Sequence, residues 1–447
     1  MLPTLEQLHG LVHDAVGRLE AAGRDTAGVE DRLAGLPASY DALLGFAESL
    51  ADLPMRAGWP YAEPLAWADV AASLPPPPET SDGWPRPVDP QHAADRIRQG
   101  WLASVCGCQL GKPLEVQATS AELREAFGRV GQWPIDDYVT PEALRALGRE
   151  HPTGPRRGDV GPAHADDDLN YTVLGMLVLE QHGPGFTQAD LRALWENHLP
   201  IRMTWGPERR GLAAWAVAAN VVPRGETHPL HDLLVMGDTW CGAQIRADAY
   251  GYACPGDPLR AAELAYRDAT LNHRGTGAFA AAWTAAAIAA AFAVDEPLDT
   301  FRVANRFVPP RSRFAEAMAE GLRIVERAAD WDAGIVALHN AFRGYDHCRV
   351  LQESATLMLT ARFAESVGHG LCLQVMAGHD TDSYAATAGA LLGVLHDPAG
   401  PARLEARWLA PFCGKIDVAL AQFHEARLDA IADRLAALPG RVRTSRG

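Results

Sequence analysis

Two acidic clusters stand out for the chemistry they could do: Asp166-Asp167-Asp168 and, far downstream, Asp380-Thr381-Asp382. Carboxylates this close repel one another unless something positive is placed among them. Mg²⁺, Mn²⁺ and Ca²⁺ take oxygen ligands, so two acidic segments converging from distant parts of a chain can hold one or two hard cations. The first expectation is therefore a metal-dependent enzyme.

Each cluster needs an element to aim it. His164-Ala165-Asp166-Asp167-Asp168-Leu169-Asn170-Tyr171-Thr172 leads into the apolar stretch Val173–Leu179 and a stop at Gly183, which reads as a helix start. Acids in a first turn are stabilised by the helix dipole and by orphan N–H groups, and capping accounts for one or two of them. Three in succession exceed that need and favour metal ligation. Gly378-His379-Asp380-Thr381-Asp382-Ser383 follows the apolar segment Leu371–Met376 and precedes Ala385, Ala386, Ala388, Gly389, Ala390 and Gly393. Small residues there let another helix approach closely and hold the acids rigidly. An Asx-type turn capping a helix is the plainer reading of this segment alone.

Composition bounds the rest. The chain has 447 residues, 48% of them hydrophobic, enough for a large buried core. Acidic residues outnumber basic ones 56 to 40, and the net charge of −16 argues against an extended nucleic-acid surface. A single nucleotide is still compatible, because metal ions can supply the local positive charge. Cys106, Cys108, Cys241, Cys254, Cys348, Cys372 and Cys413 form an odd set without repeated CxxC spacing, which fits reduced thiols and a cytoplasmic setting. No basic-then-apolar leader is visible in Met1–Asp14. Gly275–Val294 carries no charge, but alanine dominates it and Trp283 sits mid-stretch, so a buried central helix is expected rather than a membrane span.

Periodicity predicts two or three helices before Ser73, an extended proline-rich connector over Pro75–Pro87, and a main domain opening at Asp89-Pro90, an N-cap followed by a proline. The boundaries are thus 1–88 for a helical extension with its connector and 89–447 for the main domain. Helical windows recur over Pro141–Arg149, Asp167–Gln181, Gln188–Trp195, Ala213–Asn220, Leu259–Thr270, Thr276–Ala293, Arg313–Ala328, Ser383–Leu395 and His424–Leu438, with almost no alternating β pattern. The fold class is all-α, a compact multi-helix bundle with its metal site at the helix ends.

In order along the chain, four segments resemble the motifs of the ADP-ribosylglycohydrolase family. Gly107-Cys108-Gln109-Leu110-Gly111-Lys112-Pro113-Leu114-Glu115 resembles its glycine-rich first motif ending in an acid, and Asp166–Thr172 its Thr-Asp-Asp-Thr motif. Gly242–Gly251, continuing through Pro255-Gly256-Asp257-Pro258 to Arg267-Asp268-Ala269 and His273, resembles the central motif, and Gly378–Ser383 the closing Gly-x-Asp-Thr-Asp motif. The resemblance implies that Asp167, Asp168, Asp380, Asp382 and the Ser383 hydroxyl are ligands of two Mg²⁺ ions, with Mn²⁺ as the alternative. Asp166 stands where the family usually has a metal-binding Thr or Ser, and its carboxylate adds negative charge to the set. Glu115 matches an acid that some relatives place over the substrate. Ser383 replaces a common Thr, and His379 stands where Gly or Trp is frequent.

The reaction implied is hydrolysis of a ribosyl glycosidic bond, with an ADP-ribosylated protein or small molecule as substrate and no membrane partner. Such a site must hold the ribose hydroxyls, stabilise an oxocarbenium-like ring and deliver water. Glu115, Asp168 and Asp380 are the expected catalytic acids, and Gly111, Arg246, Asp248 and His379 the substrate-side residues. For Arg246 and Asp248 a buried Arg–Asp brace is an equal reading. His164 and His273 are expected to be structural, and Trp205 and Tyr250 to be core rather than base-stacking. Three other functions fit some of these features: hydrolysis of another N- or O-ribosyl compound such as a nucleoside, a non-catalytic nucleotide-binding descendant, and a class I terpenoid synthase. The last lacks the second metal-binding triad at helical spacing.

Overall fold

The computed structural model describes residues 4–76, 84–115, 118–148, 154–221, 239–345 and 347–444. Residues 77–83 of the expected proline-rich connector, and Arg149 at the end of one expected helix, lie outside the described residues.

The first helices form a small core of their own. Helix α1 (Leu5–Ala21) starts at a reciprocal cap in which the Thr4 hydroxyl accepts the Gln7 N–H at 3.1 Å and Gln7 Oε1 accepts the Thr4 N–H at 2.8 Å. Leu8, Val12, Ala15, Val16 and Leu19 recur along one stripe of it and are buried against α2 (Val29–Ala34) and α3 (Tyr40–Ser49), with Leu33, Leu43, Phe46 and Leu50 closing the cluster. This unit is tied to the rest by polar clamps. Arg313 donates to the Ala21 carbonyl at 2.6 Å and to both oxygens of Glu63, while the Ala62 N–H reaches the Arg311 carbonyl at 2.9 Å.

Two helices carry the main core. Helix α4 (Pro90–Gly111) begins where Asp89 accepts the His92 N–H at 2.8 Å and Pro90 fills the first position, whose N–H would be unpaired in any case. It runs antiparallel to α11 (Thr381–Leu395), and glycines on both helices bring the backbones into direct contact. A Cβ on Gly107 would collide with the Ala385 carbonyl, one on Gly111 with the Thr381 carbonyl, one on Gly389 with the Ala103 carbonyl, and one on Gly393 with Gly100. Antiparallel packing at this distance sets the C-terminal end of α4 beside the N-terminal end of α11.

Around this pair lie α5 (Asp167–His182), α6 (Asp248–Ala253), α7 (Pro258–Ala269), α8 (Thr276–Ala291), α9 (Val350–Phe363) and α10 (Val367–Met376). Every residue of α8 is buried, and Trp283 packs on Phe301 at 5.3 Å between ring centroids while its indole N–H reaches Asn305 Oδ1 at 2.7 Å. The uncharged stretch is a core helix, and among the described residues no helix is long and apolar enough to cross a membrane.

Among the described residues the bundle is all-α apart from a two-residue antiparallel pair, β1 (Lys415–Ile416) with β2 (Ala426–Arg427). That pair is why the last expected helix begins at Leu428 rather than at His424. Helix α9 is not picked out by periodicity, because Val350–Ala361 is buried on all sides and leaves no polar face to reveal a 3.6-residue stripe.

The α4–α11 contact yields the first prediction. Gly389→Ala forces the two backbones apart and is expected to cost about 1–3 kcal/mol, read as a lower urea midpoint. Gly10→Ala, at a helical position with nothing within 4 Å, should leave the midpoint unchanged or raise it.

Candidate metal centre

Helix α5 begins at Asp166, whose side chain accepts the Asp168 N–H at 3.3 Å, so one aspartate does cap the helix. The lead-in segment is held by Gln109 of α4, which accepts the His164 N–H at 2.8 Å and donates to the His164 carbonyl at 3.2 Å. Asp380 precedes α11 but forms no side-chain cap; instead the Cys241 thiol lies 3.2 Å from Asp380 Oδ2. Thr381 Oγ1 donates to the Gly111 carbonyl at 2.8 Å, which locks the end of α4 onto the start of α11. Two helix N-termini therefore face the same acidic group.

The distant clusters meet. Ser383 Oγ lies 3.4 Å from Asp168 Oδ2, and Asp166, Asp168, Asp380 and Asp382 are each at most 2% exposed. Carboxylate oxygens of Glu115, Asp380 and Asp382 lie within 4.8 Å of one another, as do donor atoms of Cys108, Asp166 and Asp168, and of Cys241, Cys348 and Asp380. Asp167 is half-buried at the rim. Lys112 joins the groups, its Nζ 2.6 Å from Asp166 Oδ2, 2.8 Å from Glu115 Oε2 and 2.9 Å from Asp382 Oδ2.

Burial and mutual repulsion govern how these groups titrate. Burial, then the charges of Asp382 and Asp380, push Glu115 up to about 8 against the pull of Lys112. Asp380 rises to about 7 from burial and the Asp382 charge. Burial and the neighbouring Asp166 hold Asp167 and Asp168 well above the usual carboxylate range. Asp166 is lowered: burial opposes its charge, but Lys112 and the hydrogen bonds around it prevail. Burial likewise opposes the Lys112 charge, and Asp382, Asp166 and Glu115 overcome it.

The residues fit a hard divalent cation. Asp168 Oδ1 and Asp382 Oδ1 are buried and have no hydrogen-bond partner among the described residues, so open lone pairs remain where the two clusters face each other.

The remaining motif residues divide between the rim and the bundle. His379 is half-buried next to Asp380 on a left-handed backbone with φ of 63°, and its ring meets His339 edge-on at 5.1 Å. Gly111 is taken up by its contact with α11. Arg246 is 1% exposed, and its donors go to Asp268, Glu208, Asn272 and the Gly242 carbonyl. It braces the bundle from beneath, with Asp268 also accepting from Tyr250 Oη at 2.7 Å. Asp248 is buried too, with Thr172 Oγ1 2.9 Å from both of its oxygens, so it fastens α6 to α5. His273 is fully buried, with Nδ1 2.9 Å from Asn272 Oδ1; His164 and Trp205 are exposed.

Lys112, Cys108, Cys241, Cys348 and Glu353 are not singled out by the sequence reading. Lys112 did leave a trace, since it sits three residues before Glu115 in the first motif. Glu353 is 3% exposed and accepts the Cys348 N–H at 3.0 Å, a contact no spacing reveals.

The profile of the ADP-ribosylglycohydrolase family matches residues 89–444, well over half of the chain. The chain belongs to the ADP-ribosylglycohydrolase family. A solved structure titled "ADP-ribosylglycohydrolase-related protein complex" is similar to it with a TM-score of 0.50 and 18% identity, covering 79% of this chain and 99% of that one. At that identity the likeness supports the all-α fold alone. No curated protein sequence matches. ADP-ribosylglycohydrolases are metal-dependent hydrolases of glycosidic bonds, and the acidic group in this member offers the oxygen ligands such a metal takes.

Two measurements test the supporting shell. Arg246→Met leaves Glu208 and Asp268 buried without their partner and is expected to cost about 3–5 kcal/mol in chemical denaturation. For Asp248, burial raises the folded pKa to about 7, so the folded state holds this proton more tightly than the unfolded chain. The associated stability is complete below the unfolded value and is lost as pH rises through about 7. Relative to Asp248→Asn, the wild type should lose stability between pH ~4 and ~7 by up to about 1.4 kcal/mol per unit of pH. Melting curves that stay parallel across that range would contradict it.

Proposed function

We propose that the protein is a divalent-metal-dependent hydrolase that cleaves a ribosyl glycosidic bond, with an ADP-ribosylated molecule as its substrate and Mg²⁺ or Mn²⁺ as its metal. The observation that carries this reading is the meeting of Asp166–Asp168 with Asp380–Ser383, where Asp168 Oδ1 and Asp382 Oδ1 are buried without a hydrogen bond. Asp168, Asp382 and Ser383, joined by Asp380 and Asp167, are the residues that would hold metal. A divalent ion bound there supplies a Lewis acid that orients vicinal ribose hydroxyls and activates water.

The chain's own groups do the rest. As positive charge grows on the ring at the anomeric carbon, the buried carboxylates beside it stabilise that charge. Glu115 is half-buried at the mouth, within reach of both Asp380 and Asp382, and serves as the acid–base that exchanges a proton with the leaving group or the incoming water. His379, on its left-handed turn beside Asp380, lines the substrate side. Asp248 acts at a distance by keeping α6 on α5, and Arg246 by bracing Glu208 and Asp268.

The test is release of free ADP-ribose or ribose from a panel of ADP-ribosyl and ribosyl conjugates. Activity should vanish on chelation, return with Mg²⁺ or Mn²⁺, and fall on the order of 100-fold or more in Asp382→Asn. Full turnover in chelator, or an undiminished Asp382→Asn, would rule the assignment out. Release from nucleosides alone would move the substrate to the other ribosyl compounds.

A further inference from the structure

The Lys112 ammonium already occupies a cation position in this acidic group. An ammonium has three N–H donors, and here each meets a carboxylate: Asp166 at 2.6 Å, Glu115 at 2.8 Å and Asp382 at 2.9 Å. Lys112 opens the short turn Lys112–Leu114 straight after α4, so the helix that aligns α11 also sets its root. Gly154 lies alongside its stem, where a Cβ on that glycine would come 3.4 Å from Lys112 Cγ. The charge is thus placed by the fold.

Its contacts divide the acids into two sets. Asp166 spends Oδ2 on Lys112 and its other oxygen on the Asp168 N–H, so it has no oxygen left that is uncommitted. Asp382 gives Oδ2 to Lys112 but keeps Oδ1 open, and Asp168 keeps Oδ1 open, with the Ser383 hydroxyl alongside. Among the described residues the buried carboxylate oxygens without a hydrogen bond here are Asp168 Oδ1, Asp382 Oδ1 and, beside Asp380, Glu353 Oε2, and none of them belongs to Asp166. A second divalent ion on the Asp166 side would have to displace an ammonium from three carboxylates or share them with it at short range, where like charges repel strongly.

We propose that this protein binds a single divalent cation, on the Asp168–Asp382–Ser383 side, and that Lys112 is the permanent second cation of the site. This rests on the metal-dependent reading above and revises its expectation of two ions. It makes Lys112 a positioning residue, which holds Asp166, Glu115 and Asp382 together whether or not metal is bound.

The experiment counts bound Mn²⁺ on the full chain by equilibrium dialysis and metal analysis, with electron paramagnetic resonance to tell isolated from exchange-coupled ions. The expectation is about one isolated Mn²⁺ per chain for the wild type and for Lys112→Arg, and about two, exchange-coupled, for Lys112→Met. Chelation should lower the melting temperature of Lys112→Met more than that of the wild type, with recovery on adding Mn²⁺. Lys112→Gln serves in place of Lys112→Met if the latter does not fold. Two coupled ions in the wild type would overturn the role of Lys112 while leaving the metal-dependent reading intact. The same would follow from an unchanged count in the neutral variants. No bound metal in any variant would bring down both.

Discussion

The governing constraint is electrostatic: several carboxylates are gathered within a few ångströms in a place that water scarcely reaches. Burial raises the free energy of each charge, and proximity raises it further, so such a group persists only if protons, an ammonium or metal ions share it. In this chain all three kinds of relief have a structural basis. Burial and mutual repulsion favour the protonated forms of Asp168 and Asp380, Lys112 supplies the ammonium, and the open oxygens of Asp168 and Asp382 mark the place for metal. The positive ends of α5 and α11 contribute from below.

Holding the group together is the work of the helix packing. Because α4 and α11 touch through glycine Cα atoms and carbonyls, their separation has almost no freedom, and the end of one helix is registered against the start of the other. Gln109 then ties the lead-in to α5 onto α4, and Thr172 with Asp248 ties α5 onto α6. The site is therefore as rigid as the bundle, a property that metal ligation and sugar distortion both exploit.

A second polar group beneath the site has the opposite chemistry. Arg246 meets Glu208, Asp268 and Asn272 with its donors satisfied, and Trp195 covers its guanidinium at 5.1 Å. Paired and hydrogen-bonded in this way, both carboxylates share the guanidinium, and neither leaves a buried oxygen without a partner. The contrast between the two groups separates function from support: one leaves buried oxygens unpaired, the other does not.

Much of this was legible in the chain alone. The acidic runs at Asp166 and Asp380, each at the head of a helix and one followed by small residues, were enough to point to a hard-cation site, and the four ordered motifs to the family. The uncharged alanine stretch identified its own burial. What composition and spacing left open was which polar residues face the cleft and which face the core. Arg246 and Asp248 share a motif with no feature that distinguishes a substrate contact from a brace, because that depends on helices supplied by Glu208, Asp268 and Thr172. Lys112 was present in the first motif, yet only the crossing of α4 with α11 brings it to Asp382, 270 residues away in the chain. Side-chain type and local periodicity decide what each segment can do; long-range packing decides which charges become neighbours, since Coulomb energies depend on distance in space and not along the chain.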